Sequence, residues 1–182
     1  MVKTSQQERI TKFIEEASKY KTLNISAEFI NWLRENDFFK KPAAISHHGN
    51  YEGGLFDHSL AVAQSLKSMT EALNLKWVDP RSPFIIGMFH DLCKLDDYVQ
   101  SKVMPSGWDY NEDKCLSGHG EKSIMFLSQF INLTEEEMLC IRFHMGAYQT
   151  DDWRFYDKAI RKYETVLWTH TADMYASKVL NI

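Results

Sequence analysis

Ser82-Pro83-Phe84-Ile85-Ile86-Gly87-Met88-Phe89-His90-Asp91-Leu92-Cys93-Lys94 is the stretch that decides the fold. A serine followed by proline reads as a helix start, because proline at the first helical positions gives up no needed hydrogen bond. Phe84, Ile85, Ile86, Met88 and Phe89 leave no polar face, so this helix is predicted to be buried on all sides. It ends in His90-Asp91. A carboxylate there is disfavoured by the helix macrodipole and costly to bury unless a positive charge lies close by. A metal cation meets that need, and so does a simple His–Asp hydrogen bond; the pair alone leaves both open.

The flanking segments have helical spacing as well. Ile10, Phe13, Ile14 and Ala17 form one apolar stripe. Phe29, Ile30 and Leu33 follow a cap at Ser26, and Val62, Leu66, Met69 and Leu73 form a third stripe. Thr134-Glu135-Glu136-Glu137 fits a capping box, which starts a helix near 135 and accounts for the acidic run; that helix is expected to stop near Gly146. A last helix is predicted from about Arg154 to Lys178. The residues from Tyr98 to Tyr110 read as two short alternating runs around Pro105-Ser106-Gly107, a small hairpin or flap. The expectation is an all-α bundle of one domain over 1–182, with N-terminal helices in 5–38.

Composition narrows the function. At 182 residues and 44% hydrophobic, the chain has apolar material for one core. A net charge of −4 supplies no basic field to recruit a long nucleic acid. Cys93, Cys115 and Cys140 are odd in number and form no CxxC pair, so neither a disulfide framework nor a zinc ribbon is expected. No stretch approaches the roughly 18 apolar residues of a membrane span, and the start lacks a leader-like apolar segment. A cytoplasmic protein is expected, with no membrane partner and with its oligomeric state open.

Seven histidines stand out, and four fall at predicted helix ends. His58 lies near the start of the third helix, His90 ends the buried one, His119 begins another, and His144 precedes Gly146. Asp91 and Asp173 add two carboxylates. Helix ends converging on a bundle interior are a common way to build a metal site. Four imidazoles and two carboxylates suit Fe, Mn, Co, Ni or Zn better than Ca²⁺, with Mg²⁺ also admissible.

Gly53-Gly54-Leu55-Phe56-Asp57-His58-Ser59-Leu60, His90-Asp91-Leu92-Cys93-Lys94, the spaced His119 and His144, and Thr171-Ala172-Asp173 together resemble the H…HD…H…H…D pattern of the HD-domain metal-dependent phosphohydrolases. The likeness spans about residues 45–176. It implies an HD-type helical fold, with His58, His90, Asp91 and Asp173 as core metal ligands. His119 and His144 match the subset with a second ion, bridged by Asp91. With Ser46-His47-His48 ahead of the glycine pair, the motif is most similar to the HD-type 3′–5′ exoribonucleases. Those enzymes carry an OB-type domain for which this length leaves no room. Where the family often has glycine before the lysine, this chain has Cys93.

The resulting expectation is hydrolysis of a phosphomonoester or phosphodiester of a nucleotide or short oligonucleotide, by metal-activated water with one or two divalent transition-metal ions. Asp91 and Lys94 are the candidate catalytic residues. Lys94 can meet a phosphate oxygen as a point charge, or can be a solvated lysine at a helix end. His47 and His48 can hold the substrate or protonate a leaving oxygen, or can form a surface pair. His170, one turn before Asp173, reads as a satisfied core histidine or as a residue orienting a ligand. Trp108, Tyr110, Trp153, Phe155 and Tyr156 can stack on a base or simply fill core. The same six ligands also resemble those of HD-type diiron oxygenases, and a non-catalytic metal- or nucleotide-binding sensor is a third reading. Gly118-His-Gly-Glu-Lys-Ser123 lacks the glycine before lysine that a P-loop requires.

Overall fold

Serine caps open the first two helices of the computed structural model, which describes residues 4–104, 107–146 and 153–182. Ser5 and Glu8 make a reciprocal capping box on α1 (Gln6–Ala17), and Ser26 accepts from Phe29 N–H at the start of α2 (Ala27–Glu35). The longest helix is α3 (Gly54–Leu73), followed by α4 (Ser82–Phe89) and the single turn α5 (Lys94–Asp97). Strands β1 (Tyr98–Gln100) and β2 (Trp108–Tyr110) pair antiparallel, Tyr98 opposite Tyr110. This is the expected hairpin; Pro105 and Ser106 of its turn lie outside the described residues. Then come α6 (His119–Leu127), α7 (Glu135–Arg142), α8 (Trp153–Lys162), α9 (Thr165–Met174) and a π-helical turn, Tyr175–Val179. The protein is predominantly helical, and no helix among the described residues is long and apolar enough to cross a membrane.

All eight residues of α4 are buried, as its sequence requires, and one apolar cluster surrounds it, drawing residues from Ile10 to Ala176. Aromatic rings fill its N-terminal side, where Phe13 meets Phe39, Phe84 and Phe89 with ring centroids 5.9–6.2 Å apart. Helix α3 crosses α4 so closely that a Cβ on Gly87 would lie 2.3 Å from Ala63 Cα and 2.4 Å from Ala63 N. The absence of a side chain at Gly87 therefore sets the separation of the two helices that carry His58 and His90.

The glycine pair before α3 has its own steric cause. Gly53 takes a left-handed φ of 86° and lies against the Arg9 guanidinium, while a Cβ on Gly54 would come within 2.0 Å of Gly49 O. Arg9 makes a two-bond contact with Asp57, 3.1 Å on each branch, and so ties α1 to the first turn of α3. Such a fork-to-carboxylate pair fixes orientation as well as distance, and His58 is the next residue.

The chain departs from expectation after Gly146. The predicted single helix from Arg154 to Lys178 is divided at Tyr163-Glu164 into α8 and α9, and its end is π-helical. An unbroken helix of that length would extend roughly 37 Å at 1.5 Å per residue. The break also sets which face is buried: Leu167 is 40% exposed, whereas Val166, Thr169, Ala172 and Asp173 turn inward. The capping box at Thr134 and Glu137 forms as expected, and α7 ends at Arg142, with the chain continuing as turns to a left-handed Gly146. Glu136 does more than complement the dipole: buried, it accepts hydrogen bonds from Val78 N–H (2.7 Å) and Thr165 Oγ1 (2.6 Å).

Candidate metal centre

Five segments deliver the six candidate ligands to one place. His58 comes from the second turn of α3, His90 and Asp91 from the end of α4, His119 from the first residue of α6, His144 from the turn after α7, and Asp173 from α9. His58, His90 and Asp91 have ligand atoms grouped tightly enough to hold an ion, as do His90, His144 and Asp173. His58 Nε2 lies 3.3 Å from His90 Nε2 and 3.2 Å from Asp173 Oδ1, while His90 Nε2 lies 3.5 Å from Asp91 Oδ2. Ligand atoms about 2.0–2.1 Å from a first-row ion are about 2.8–3.4 Å apart when adjacent in octahedral or tetrahedral arrangements. The separations among His58, His90, Asp91 and Asp173 run from 3.2 to 3.9 Å, from that scale to about half an ångström above it.

The ring nitrogens show how the site is set. His58 Nδ1 donates to Ile182 O (2.9 Å), His90 Nδ1 to Gly87 O (2.9 Å) and His144 Nδ1 to Ile141 O (2.7 Å). A carbonyl oxygen can only accept, so Nδ1 carries the hydrogen in each ring and Nε2 turns its lone pair toward the shared centre. The two Nε2 atoms facing each other at 3.3 Å are stable with a positive charge between them. Among the described residues, His144 Nε2 is one of three buried side-chain polar atoms with no hydrogen-bond partner; Asp91 Oδ1 lies 3.5 Å away. A buried imidazole nitrogen that has no hydrogen-bond partner and faces two carboxylates could contribute to holding a metal ion. The donor set could thus hold a metal ion.

Asp91 is the hub. His119 Nε2 contacts its Oδ1 at 2.6 Å, and Lys94 Nζ contacts its Oδ2 at 2.6 Å. Burial opposes ionisation, but Lys94, His90 and His119 hold the carboxyl well below the usual range. Asp173 is also held low against its burial, by His58, whose Nε2 lies 3.2 Å away, and then by His90 and His144. Lys94 is raised: burial works against its charge and Asp91 more than compensates. Burial lowers His90 to about 3, leaving a neutral ring suited to ligation. His144 is raised, because Asp91 and Asp173 outweigh its burial.

A cavity of about 370 Å³ opens onto the centre. Asp91, His119, Lys94 and Asp173 lie at its base, Ala44, Met145 and Met174 line its apolar side, and His48, His170 and Lys178 complete it. His119 and Asp173 have 17% and 12% side-chain exposure, against 1% for His58, His90 and His144, so the cavity approaches the cluster from their side.

His47 and His48, indistinguishable by sequence, separate here. His48 is half-buried in the cavity wall, its ring centroid 5.1 Å from that of His58, and is lowered to about 4 by burial and then by His58 and Lys94. His47 is exposed and does not line the cavity. His170 lies in the wall too, and its Nδ1 donates to His144 O (2.8 Å), bracing the main chain of a candidate ligand. The core reading of His170 is thereby replaced. None of Trp108, Tyr110, Trp153, Phe155 and Tyr156 lines this cavity. Tyr156 is core, Trp108 packs with Ile45 and Tyr98, and the other three are exposed. Met145, Met174 and Lys178 were missed by sequence reading, since nothing local distinguishes them from other residues of their type.

The neutral, buried His90 makes acid stability a test. His90 and His48 have folded-state values below the ordinary 6.5, so the unfolded chain takes up their protons first. Their contribution is present above pH 6.5 and is lost as pH falls toward about 4 and then 3. His144, shifted the other way, offsets one of the two. Chelator-treated protein is expected to melt at lower temperature at pH 5 than at pH 7; an equal or higher melting temperature at pH 5 would contradict these assignments.

Fold and site together define a helical protein with a buried His/Asp cluster that could bind metal. Compared with family models, curated proteins and solved structures, the chain finds no significant match in any of the three.

Proposed function

We propose that the protein is a metal-dependent phosphohydrolase acting on a small phosphorylated molecule, a nucleotide or short oligonucleotide, as its resemblance to the HD-domain hydrolases implies. One observation carries this reading: His58, His90 and His144, each fixed as the Nδ1–H tautomer, converge on Asp91 and Asp173, and these two carboxylates together with the buried Lys94 line a cavity of small-molecule size. His58, His90, Asp91 and Asp173 would hold one divalent ion, and His119 and His144, sharing Asp91, a second. Such ions, when bound, supply Lewis acidity toward phosphoryl oxygen and acidify water.

The protein's own groups then have distinct tasks. Asp91 and Asp173 supply anionic oxygens held ionised by their neighbours. Lys94 keeps its charge throughout the neutral range and faces the cavity, where its ammonium can draw a non-bridging phosphate oxygen into place. His48, neutral at pH 7, can donate one hydrogen bond to a leaving oxygen. The apolar wall of Ala44, Met145 and Met174 excludes water from one side of the substrate and offers polarizable sulfur to a planar group. A cavity of this volume admits a mononucleotide-sized ligand and not a long strand.

The test uses protein stripped by chelator, reloaded with Mn²⁺ without oxygen, and offered a bis-aryl phosphodiester, an aryl phosphate and a set of nucleotides. Hydrolysis of at least one is expected. No turnover by protein with full metal content would overturn the proposal in favour of a binding or sensing role, and activity appearing only with O₂ and iron would point to oxygenation. Lys94→Ala is expected to lower kcat roughly 10²-fold while metal stoichiometry, measured by elemental analysis, stays the same.

A further inference from the structure

Three of the four site histidines are held by backbone carbonyls, which no side-chain change alters. His119 is held differently. Its Nδ1 lies 3.3 Å from the Sγ of Cys93, and its Nε2 lies 2.6 Å from Asp91 Oδ1. Cys93 is fully buried, and Ser123 locks it to α6: Ser123 Oγ accepts from Cys93 N–H at 3.0 Å and donates to His119 O at 3.1 Å. The thiol and the imidazole are thus fixed against each other at both main chain and side chain.

This arrangement has a chemical consequence. An ionised carboxylate only accepts, so when the ring of His119 carries a single hydrogen, the 2.6 Å contact to Asp91 places it on Nε2. Nδ1 must then accept, and the Cys93 S–H is its donor. To ligate an ion through Nε2, the ring must carry its hydrogen on Nδ1, and Sγ must accept. A carbonyl serves only the second state, whereas a thiol, weak donor and weak acceptor at once, serves both. We propose that Cys93 is a positioning residue that lets His119 exchange tautomers, making the His119 side of the centre the exchangeable metal position, while His58, His90 and His144 are permanently set for ligation. In the exchange one proton leaves Nε2 and one arrives at Nδ1 through solvent; the thiol keeps its own, and the count on the pair is unchanged. The inference rests on the metal-centre reading of the proposed function.

The test follows ring ¹⁵N resonances and calorimetry as Zn²⁺ is added to the stripped protein. His58, His90 and His144 should be Nδ1–H before and after loading. His119 should be Nε2–H in metal-free protein and Nδ1–H once its equivalent binds. Cys93→Ala should weaken that equivalent about 10–100-fold and leave the first unchanged, with Cys93→Ser recovering part of the loss. The wild-type spectra and the serine variant carry the test if the alanine variant does not fold. His119 already Nδ1–H without metal, wild-type affinity in Cys93→Ala, or a thiolate charge-transfer band in Co²⁺-loaded protein would each overturn the inference. A wild-type protein that takes up no ion would remove the metal centre itself, which separates the two failures.

Discussion

Asp91→Ala is expected to abolish bound metal and hydrolysis and to destabilise the metal-free protein as well. The carboxylate is the hub that His119 and Lys94 contact at 2.6 Å and that His58, His90 and His144 approach within 3.5–3.7 Å. Its loss leaves the buried Lys94 ammonium without a counter-charge, and breaking a buried pair from one side costs about 3–5 kcal/mol. Asp91→Asn keeps the shape and removes the charge, so comparing the two separates packing from electrostatics. His90→Ala should lose metal equally but leave the Lys94–Asp91 pair in place. For both alanine variants turnover is expected to fall at least about 10³-fold, with elemental analysis and thermal denaturation as the measurements. Retention of metal by either variant would refute the site.

Gly87→Ala is the second large effect, and it acts without touching a ligand. Its Cβ would lie 2.3–2.7 Å from Ala63 Cα, N and Cβ, two of these being backbone atoms of α3 that cannot rotate away. Overpacking costs about 1–3 kcal/mol and occasionally more, and at the upper end, where a clash with backbone belongs, this is equivalent to roughly 10 °C in melting temperature for a chain of this size. Because Gly87 O also accepts the hydrogen bond that orients His90, separation of α3 from α4 draws the His58 and His90 nitrogens apart. Metal affinity should therefore fall with stability. A fully stable Gly87→Ala variant with normal metal binding would show that the contact of the two helices does not set the site.

Much of the helical layout could be read locally. Ser5, Ser26 and Thr134 announce helix starts through side-chain hydrogen bonds three residues long, and α4 is buried because its own residues leave no polar face. The break at Tyr163-Glu164 could not be read that way. The apolar spacing of α8 continues plausibly into α9, and only the need to fold back over α3 and α7 turns Val166 inward and leaves Leu167 outside. Likewise His47 and His48 are adjacent and chemically identical, yet a one-residue change in direction puts one in the cavity wall and the other in solvent.

The sequence by itself determined a helical protein and a set of candidate ligands: four histidines and two aspartates near predicted helix ends, in an order resembling a known metal-dependent class. Those choices rest on interactions between near neighbours in the chain, which spacing and caps express directly. The tertiary structure alone decided that these six side chains meet, that Cys93 rather than a carbonyl holds His119, that His170 braces the main chain of His144, and that methionines rather than aromatic rings line the cavity. His58 shows the reason: its Nδ1 is fixed by the carbonyl of Ile182, 124 positions away, and its Nε2 faces His90 across the α3–α4 contact set by Gly87. Contacts at such separations are consequences of packing the whole core, and no local pattern encodes which nitrogen of a ring will face the centre.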